Sequence, residues 1–198
     1  MKPQKTIAVI LHPIVIPTIG VLLYFLWIPH QIQKPQQLVI LGLIFVATYF
    51  IPLCTLFVLK SLKRIHSFEV ATIKERKIPL FLMILLFAIL GNNLANLSIF
   101  RDFSLLFYGA TYALISVYFL FIIKLKTSLH LLAIGMLVGF FLALAAVHSI
   151  SVLPIIIILI LLSGLLASAR LEVEAHSPKE IYTGFFIGVF SQIIVFLL

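Results

Sequence analysis

Long apolar runs are the feature that most constrains the fold of this chain. A helix rises about 1.5 Å per residue, so roughly 20 apolar residues cross a hydrocarbon core of about 30 Å. A membrane β-barrel would instead show alternating segments of about ten residues. The sequence therefore predicts an all-α fold, a polytopic transmembrane helical bundle of about seven spans, forming a single integral membrane domain over residues 1–198. The seven segments are 7–28, 38–59, 78–97, 103–123, 129–147, 152–169 and 181–198.

The composition agrees with a membrane protein. With 63% hydrophobic and 10% charged residues, the chain has too little polar surface for a soluble globule. Its 14 Lys and Arg residues outnumber its 6 Asp and Glu residues, and they lie between the apolar segments. We therefore expect membrane lipids and a phosphorylated lipid as partners, and no nucleic acid. The single cysteine, Cys54, lies in an apolar segment and cannot form an internal disulfide.

The basic residues also predict an orientation. Connections between the segments alternate between two faces, and the N-terminal face carries the tail and loops 60–77, 124–128 and 170–180. All Lys and Arg residues except Lys34 and Arg101 lie on that face. The positive-inside rule makes it cytoplasmic. We expect an integral protein of the cytoplasmic (inner) membrane of a bacterium.

A polar stretch near the C-terminus, residues 169–180, holds the first candidate chemistry. Arg170 offers a planar set of donors for phosphate oxygens, and His176 can act as a nucleophile or proton carrier. Glu180 can orient that imidazole, or it can complete a capping box in which Ser177 is the N-cap and Pro178 the first helical residue. Arg170 can equally anchor its helix at the membrane interface.

A basic cluster precedes the third segment. Lys74, Arg76 and Lys77 lie just before Pro79, which is tolerated in a first helical turn. Three cations at a helix entrance can hold an anion at the membrane surface. The alternative is that they determine topology or contact lipid headgroups.

A third candidate lies at the entrance to the fifth segment. Thr127 or Ser128 can cap the helix, whose free N–H groups would then face an anion. His130 falls in the first turn and can donate a proton to a leaving oxygen. The alternative is an interfacial histidine. In the first segment, His12-Pro13 and Pro17 predict a kink, or, as the alternative, a gate for a substrate.

Glycines at fourth-residue spacing follow both histidines. Gly135 and Gly139 lie in one segment, Gly184 and Gly188 in another, and the sixth segment offers a further small-residue face at Gly164. Such faces let membrane helices approach closely. If the first two pack together, the two histidines lie near one another.

The order of these motifs resembles the type 2 phosphatidic acid phosphatase superfamily. Its signatures are Lys-x6-Arg-Pro, Pro-Ser-Gly-His and Ser-Arg-x5-His-x3-Asp, and the similar part of this chain is the motif-bearing region 74–180. This chain departs from the signatures at several positions. Ile78 precedes the proline where the family has arginine, and Leu129 replaces the glycine. The other departures are Ala71 for lysine, Thr127 for proline, Ala169 for serine and Glu180 for aspartate.

The resemblance implies a metal-independent hydrolase, without a cofactor, that cleaves a lipid phosphomonoester or diphosphate through a phosphohistidine. His176 would be the nucleophile, Glu180 its orienting carboxylate and His130 the general acid. The phosphate-binding residues would be Arg170, Ser128, Arg76, Lys77 and Lys74.

Two other functions remain open. The departures allow a family member that has lost catalysis and binds phospholipid, and the intramembrane prolines and asparagines allow a small transporter. The side of the site is also open, because charge bias favours the cytoplasm whereas sites in the family commonly face outward.

Overall fold

The computed structural model describes residues 10–68, 70 and 72–198, and within them the regular structure is helical, with no strand. Six of the seven helices in this part are long and apolar enough to cross a membrane, and a shorter apolar helix precedes them. The chain is therefore an integral membrane protein with an all-α, polytopic bundle. The helices are α1 (Ile16–Trp27), α2 (Lys34–Ser61), α3 (Ile73–Ala95), α4 (Arg101–Leu120), α5 (Leu129–His148), α6 (Leu153–Glu172) and α7 (Pro178–Leu197).

Each predicted apolar segment overlaps one of these helices. The helix of the third segment begins earlier than predicted, at Ile73, so the expectation that Pro79 lies in a first turn is wrong and Pro79 lies inside α3.

The first segment differs most from its prediction. Residues 7–9 of that segment lie outside the described residues, and residues 11–15 are not helical, so α1 begins only at Ile16. Pro13 has no N–H to donate, and Pro17 is tolerated only because it lies at the start of the helix. The predicted kink is thus a break before a short helix.

A proline also explains an irregularity within α2. Five residues, Val46–Phe50, adopt a π-helical turn. Pro52 has no N–H for the carbonyl of Thr48, four residues earlier, and a wider turn accommodates that gap. The side chain of Thr48 is buried and its hydroxyl contacts that of Thr18 in α1 at 3.1 Å.

Helices α5 and α7 approach each other backbone to backbone. A Cβ atom at Gly135 would collide with the carbonyl of Phe185, and one at Gly188 would collide with the carbonyl of Leu132. The prediction that the glycine faces after both histidines pack together is confirmed. Gly164 in α6 has no atom of the described residues within 4 Å of its Cβ position, so the third face is not used in this way.

Polar contacts join α1 to the bundle at the end farthest from His130. The Tyr24 hydroxyl donates to Asp102 at 2.8 Å, and the Nε2 atom of His148 lies 2.9 Å from the same carboxylate oxygen. Trp27 donates to the carbonyl of Ser151 at 3.2 Å. The C-terminal half of α1 is therefore held against α4 and the end of α5.

The glycine contacts predict that one added methyl group destabilises the protein at Gly188 but not at Gly164. Gly188→Ala should lower the free energy of unfolding by about 1–3 kcal/mol, because the backbones must move apart. Gly164→Ala is the matched control and should leave stability unchanged or raise it slightly, since alanine favours a helix. Thermal unfolding in detergent measures both. Equal midpoints for the two variants would contradict the close contact.

Candidate functional site

The three loops predicted to hold the chemistry meet at one end of the bundle. The backbone N–H of Ser128 donates to the carbonyl of Glu180 at 3.1 Å, which joins the start of α5 to the start of α7. Arg76, at the start of α3, donates from Nη1 to the carbonyl of Thr127 at 2.9 Å. The first turns of three helices therefore lie side by side.

Arg76 is turned into the protein by the way α3 begins. Thr72 is the N-cap and forms a capping box with Glu75, which fixes where the helix starts. Arg76 follows in the first turn, is 7% exposed, and also donates from Nε to the carbonyl of Val70 at 2.8 Å. A guanidinium has five N–H donors, so these two carbonyls leave donors for an anion.

The structure distinguishes the two roles considered for Glu180. Its carboxylate lies 2.7 Å from Nδ1 of His176, whereas its backbone N–H donates to the hydroxyl of Ser177, the N-cap of α7, at 3.4 Å. A carboxylate accepts hydrogen bonds, so Nδ1 carries the proton of the neutral imidazole. The lone pair is then on Nε2, the nitrogen left for chemistry.

The environment keeps His176 uncharged. Burial, followed by the positive charges of Arg76, Lys126 and Arg170, lowers the pKa of His176 to about 3. Burial also lowers the pKa of Lys126, whose ammonium donates to the carbonyl of Ala175 at 3.0 Å. The histidine is therefore in its nucleophilic, unprotonated form at neutral pH.

A cavity of about 170 Å³ lies beside this cluster, and the arginine and histidine side chains that line it come from this end of the bundle, whereas Thr48 and Thr55 of α2 add two hydroxyl groups. Arg76, Arg170, His130 and His176 line the polar end. Phe87 lies three turns beyond Arg76 along α3, about 16 Å at ~1.5 Å per residue, or about half of the hydrocarbon core. The shape suits a ligand with an anionic head and an apolar tail. Residues that line the apolar part include Pro52, Pro79, Met83, Phe87, Leu114 and Met136.

The other residues predicted to bind phosphate do not line the cavity. Ser128 is fully buried and caps α5, accepting from the N–H of Leu131 at 3.5 Å. Lys74 and Lys77 are exposed. None of these three is among the described residues that line the cavity. Of the basic cluster Lys74, Arg76 and Lys77 at the start of α3, Arg76 alone lines the cavity.

Two residues that the site hypothesis left out also lie here. Lys126, four residues before His130, supports the loop that carries His176. His12 lines the cavity, and its ring centroid is 5.3 Å from that of His130. A lysine just before a helix entrance and a His-Pro pair within an apolar segment are the sequence signals for these positions. Neither signal says which way the side chain turns.

Comparison of the chain with protein-family models, curated proteins and solved structures finds no match. The resemblance to the type 2 phosphatidic acid phosphatase superfamily stays a prediction from motif order and spacing. The cavity and the residues around it are therefore the features that indicate a function.

The low pKa of His176 predicts its titration. In ¹⁵N-histidine-labelled protein in detergent, the His176 ring should stay neutral from pH 8 to about pH 5. The pKa of His176 in the folded protein lies below its value of 6.5 in the unfolded chain, so protonation favours the unfolded state. The contribution of His176 to stability is therefore complete above pH 6.5 and declines as the pH falls towards 3. Lys126→Met should raise the titration midpoint, since it removes one of the cations. A midpoint above pH 5 in the unaltered protein would contradict the account.

Proposed function

We propose that this protein is a membrane lipid phosphatase that hydrolyses a lipid phosphomonoester or diphosphate through a phosphohistidine intermediate. The observation that carries the proposal is the convergence of Arg76, Arg170, His130 and His176 on one cavity that continues into the apolar interior. An amphipathic ligand with a phosphate head fits this arrangement of charge and apolar surface.

The balance of charge favours an anionic ligand. Arg76, Arg170 and Lys126 surround a neutral His176, and the carboxylate on that histidine is Glu180. All three cations lower the pKa of His176, so the electrostatic potential at that ring is positive and attracts a phosphate dianion. Arginine matches phosphate oxygens in a bidentate geometry.

The proposed reaction has two steps. Nε2 of His176 attacks phosphorus and the bond from phosphorus to the lipid oxygen breaks, while His130 gives that oxygen a proton. Water then attacks the phosphohistidine, His130 takes back a proton, and inorganic phosphate leaves with His176 restored. Arg76 and Arg170 stabilise the charge on the phosphoryl oxygens, and Glu180 stabilises the charged imidazole through Nδ1.

One observation favours the alternative of a protein that binds phospholipid without cleaving it. Leu129 lines the cavity beside His130, at the position where the phosphatase signature has glycine. A leucine side chain there limits the approach of a phosphate to the N–H groups at the start of α5.

We also propose that the site faces the cytoplasm, because most basic residues lie in loops on the same face of the membrane as the site.

Phosphate release from phosphatidic acid and from a polyprenyl diphosphate, without added metal, tests the proposal. The purified protein in detergent should release phosphate from at least one of them. His176→Ala and His130→Ala should each lower kcat by about 10²-fold or more, as expected when a nucleophile or general acid is lost. Activity that survives both substitutions would contradict the mechanism. Binding of these lipids without hydrolysis would favour the alternative.

Adjacent cations of the basic cluster provide a matched pair for the same assay. Arg76→Ala should lower kcat/KM strongly, by about 10²-fold, because Arg76 lines the cavity. Lys77→Ala should stay within about twofold, since Lys77 is exposed. Thermal unfolding of both variants separates loss of ligand contacts from loss of the Arg76 hydrogen bonds to the backbone. Equal losses of activity in the two variants would contradict the assignment of Arg76.

A further inference from the structure

We propose that His12 is a positioning residue, whose ring packs against His130 and holds that imidazole in the orientation needed for proton transfer. This inference rests on the proposed function, in which His130 protonates the leaving oxygen. His12 lies outside the three motifs that carry the resemblance, in the part of the chain before α1.

The break before α1 brings His12 to the cavity. Residues 11–15 are not helical, and α1 starts at Ile16 with Pro17 in its first turn. The backbone N–H of Ile14 donates to Nδ1 of His12 at 3.4 Å. Since Nδ1 accepts this hydrogen bond, the proton of the neutral ring lies on Nε2. The local backbone therefore favours one tautomer and one orientation of the ring.

The ring contact with His130 has the geometry of an aromatic pair. The centroids are 5.3 Å apart and the planes meet at 76°, an edge-to-face arrangement within the usual range of about 4.5–7 Å. Both rings line the same cavity as Arg170 and His176. A contact of this kind restricts how His130 can tilt, and a misplacement of about 1 Å can cost a reaction ~10²-fold.

The charge state of His12 suits this role. Burial, followed by the positive charge of Arg170, lowers the pKa of His12. An uncharged ring adds no repulsion when His130 carries its proton, whereas a lysine or arginine in the same place would. His12 can thus support a protonated His130 without adding to the positive charge at the phosphate end.

Two substitutions separate a ring contact from apolar bulk. His12→Leu removes the flat ring and should lower kcat about tenfold with KM nearly unchanged, because substrate binding is retained while proton transfer is misoriented. His12→Phe keeps a flat ring and should restore kcat to within about threefold of the unaltered protein. His30→Leu, the same change at the other end of α1, is the matched control and should leave kcat unchanged. Thermal unfolding of each variant shows whether the fold is retained.

A second measurement does not need turnover. In ¹⁵N-histidine-labelled protein, the ring shifts of His130 report its tautomer and hydrogen bonding, and they should change in His12→Leu much more than in His12→Phe. Unchanged His130 signals in His12→Leu, or an unchanged kcat in that variant, would overturn the inference. An equal rise of KM in His12→Leu and His12→Phe would also overturn the inference, because it would indicate that His12 contacts the ligand. If the unaltered protein hydrolyses no lipid phosphate, the proposed function fails separately and the His130 signals decide the positioning role.

Discussion

The close contact between α5 and α7 is the constraint on which the rest of the structure depends. Glycines remove the side chains that would separate the two helices, so the carbonyls of one lie against the backbone of the other. The same contact lets the Ser128 N–H reach the carbonyl of Glu180. His130 and His176 are consequently fixed by backbone geometry at the start of neighbouring helices. Side-chain packing alone would hold them less precisely.

Around that fixed pair, burial and charge act in the same direction. Both lower the pKa of His176, which keeps its Nε2 lone pair available, while the carboxylate of Glu180 sets the tautomer through Nδ1. The cations that surround the histidine also make the electrostatic potential at the polar end of the cavity positive. The apolar end reaches about halfway into the bundle. A site of this kind suits the proposed ligand, which is a phosphate attached to an apolar chain.

Much of the fold could be predicted from the sequence, because length and hydropathy determine membrane spans and glycine spacing indicates close helix faces. The caps at Ser128 and Ser177 also followed from local residue types. The break before α1 was predicted only as a kink, since a proline pair does not say how much of a helix is lost. Local patterns therefore predicted the elements better than their ends.

The candidate site was predicted only in part, for a geometric reason. Successive helical residues differ by about 100° in direction, so Lys74, Arg76 and Lys77 face different ways, and the N-cap at Thr72 decides that Arg76 turns inward. His12 is distant in sequence from the motifs, and its approach to His130 depends on packing that no local pattern reveals. Lys126 lies in a loop that the sequence predicts, whereas its hydrogen bond to the carbonyl of Ala175 depends on tertiary packing.

The central claim is that Nε2 of His176 receives a phosphoryl group from a lipid bound in the cavity. Quenching the protein in base during turnover of phosphatidic acid with a radiolabelled phosphate, followed by peptide mapping, tests it most directly, because phosphohistidine survives base. The account predicts label on His176 and none in His176→Ala. Steady hydrolysis without label on His176, or with label on another residue, would contradict it.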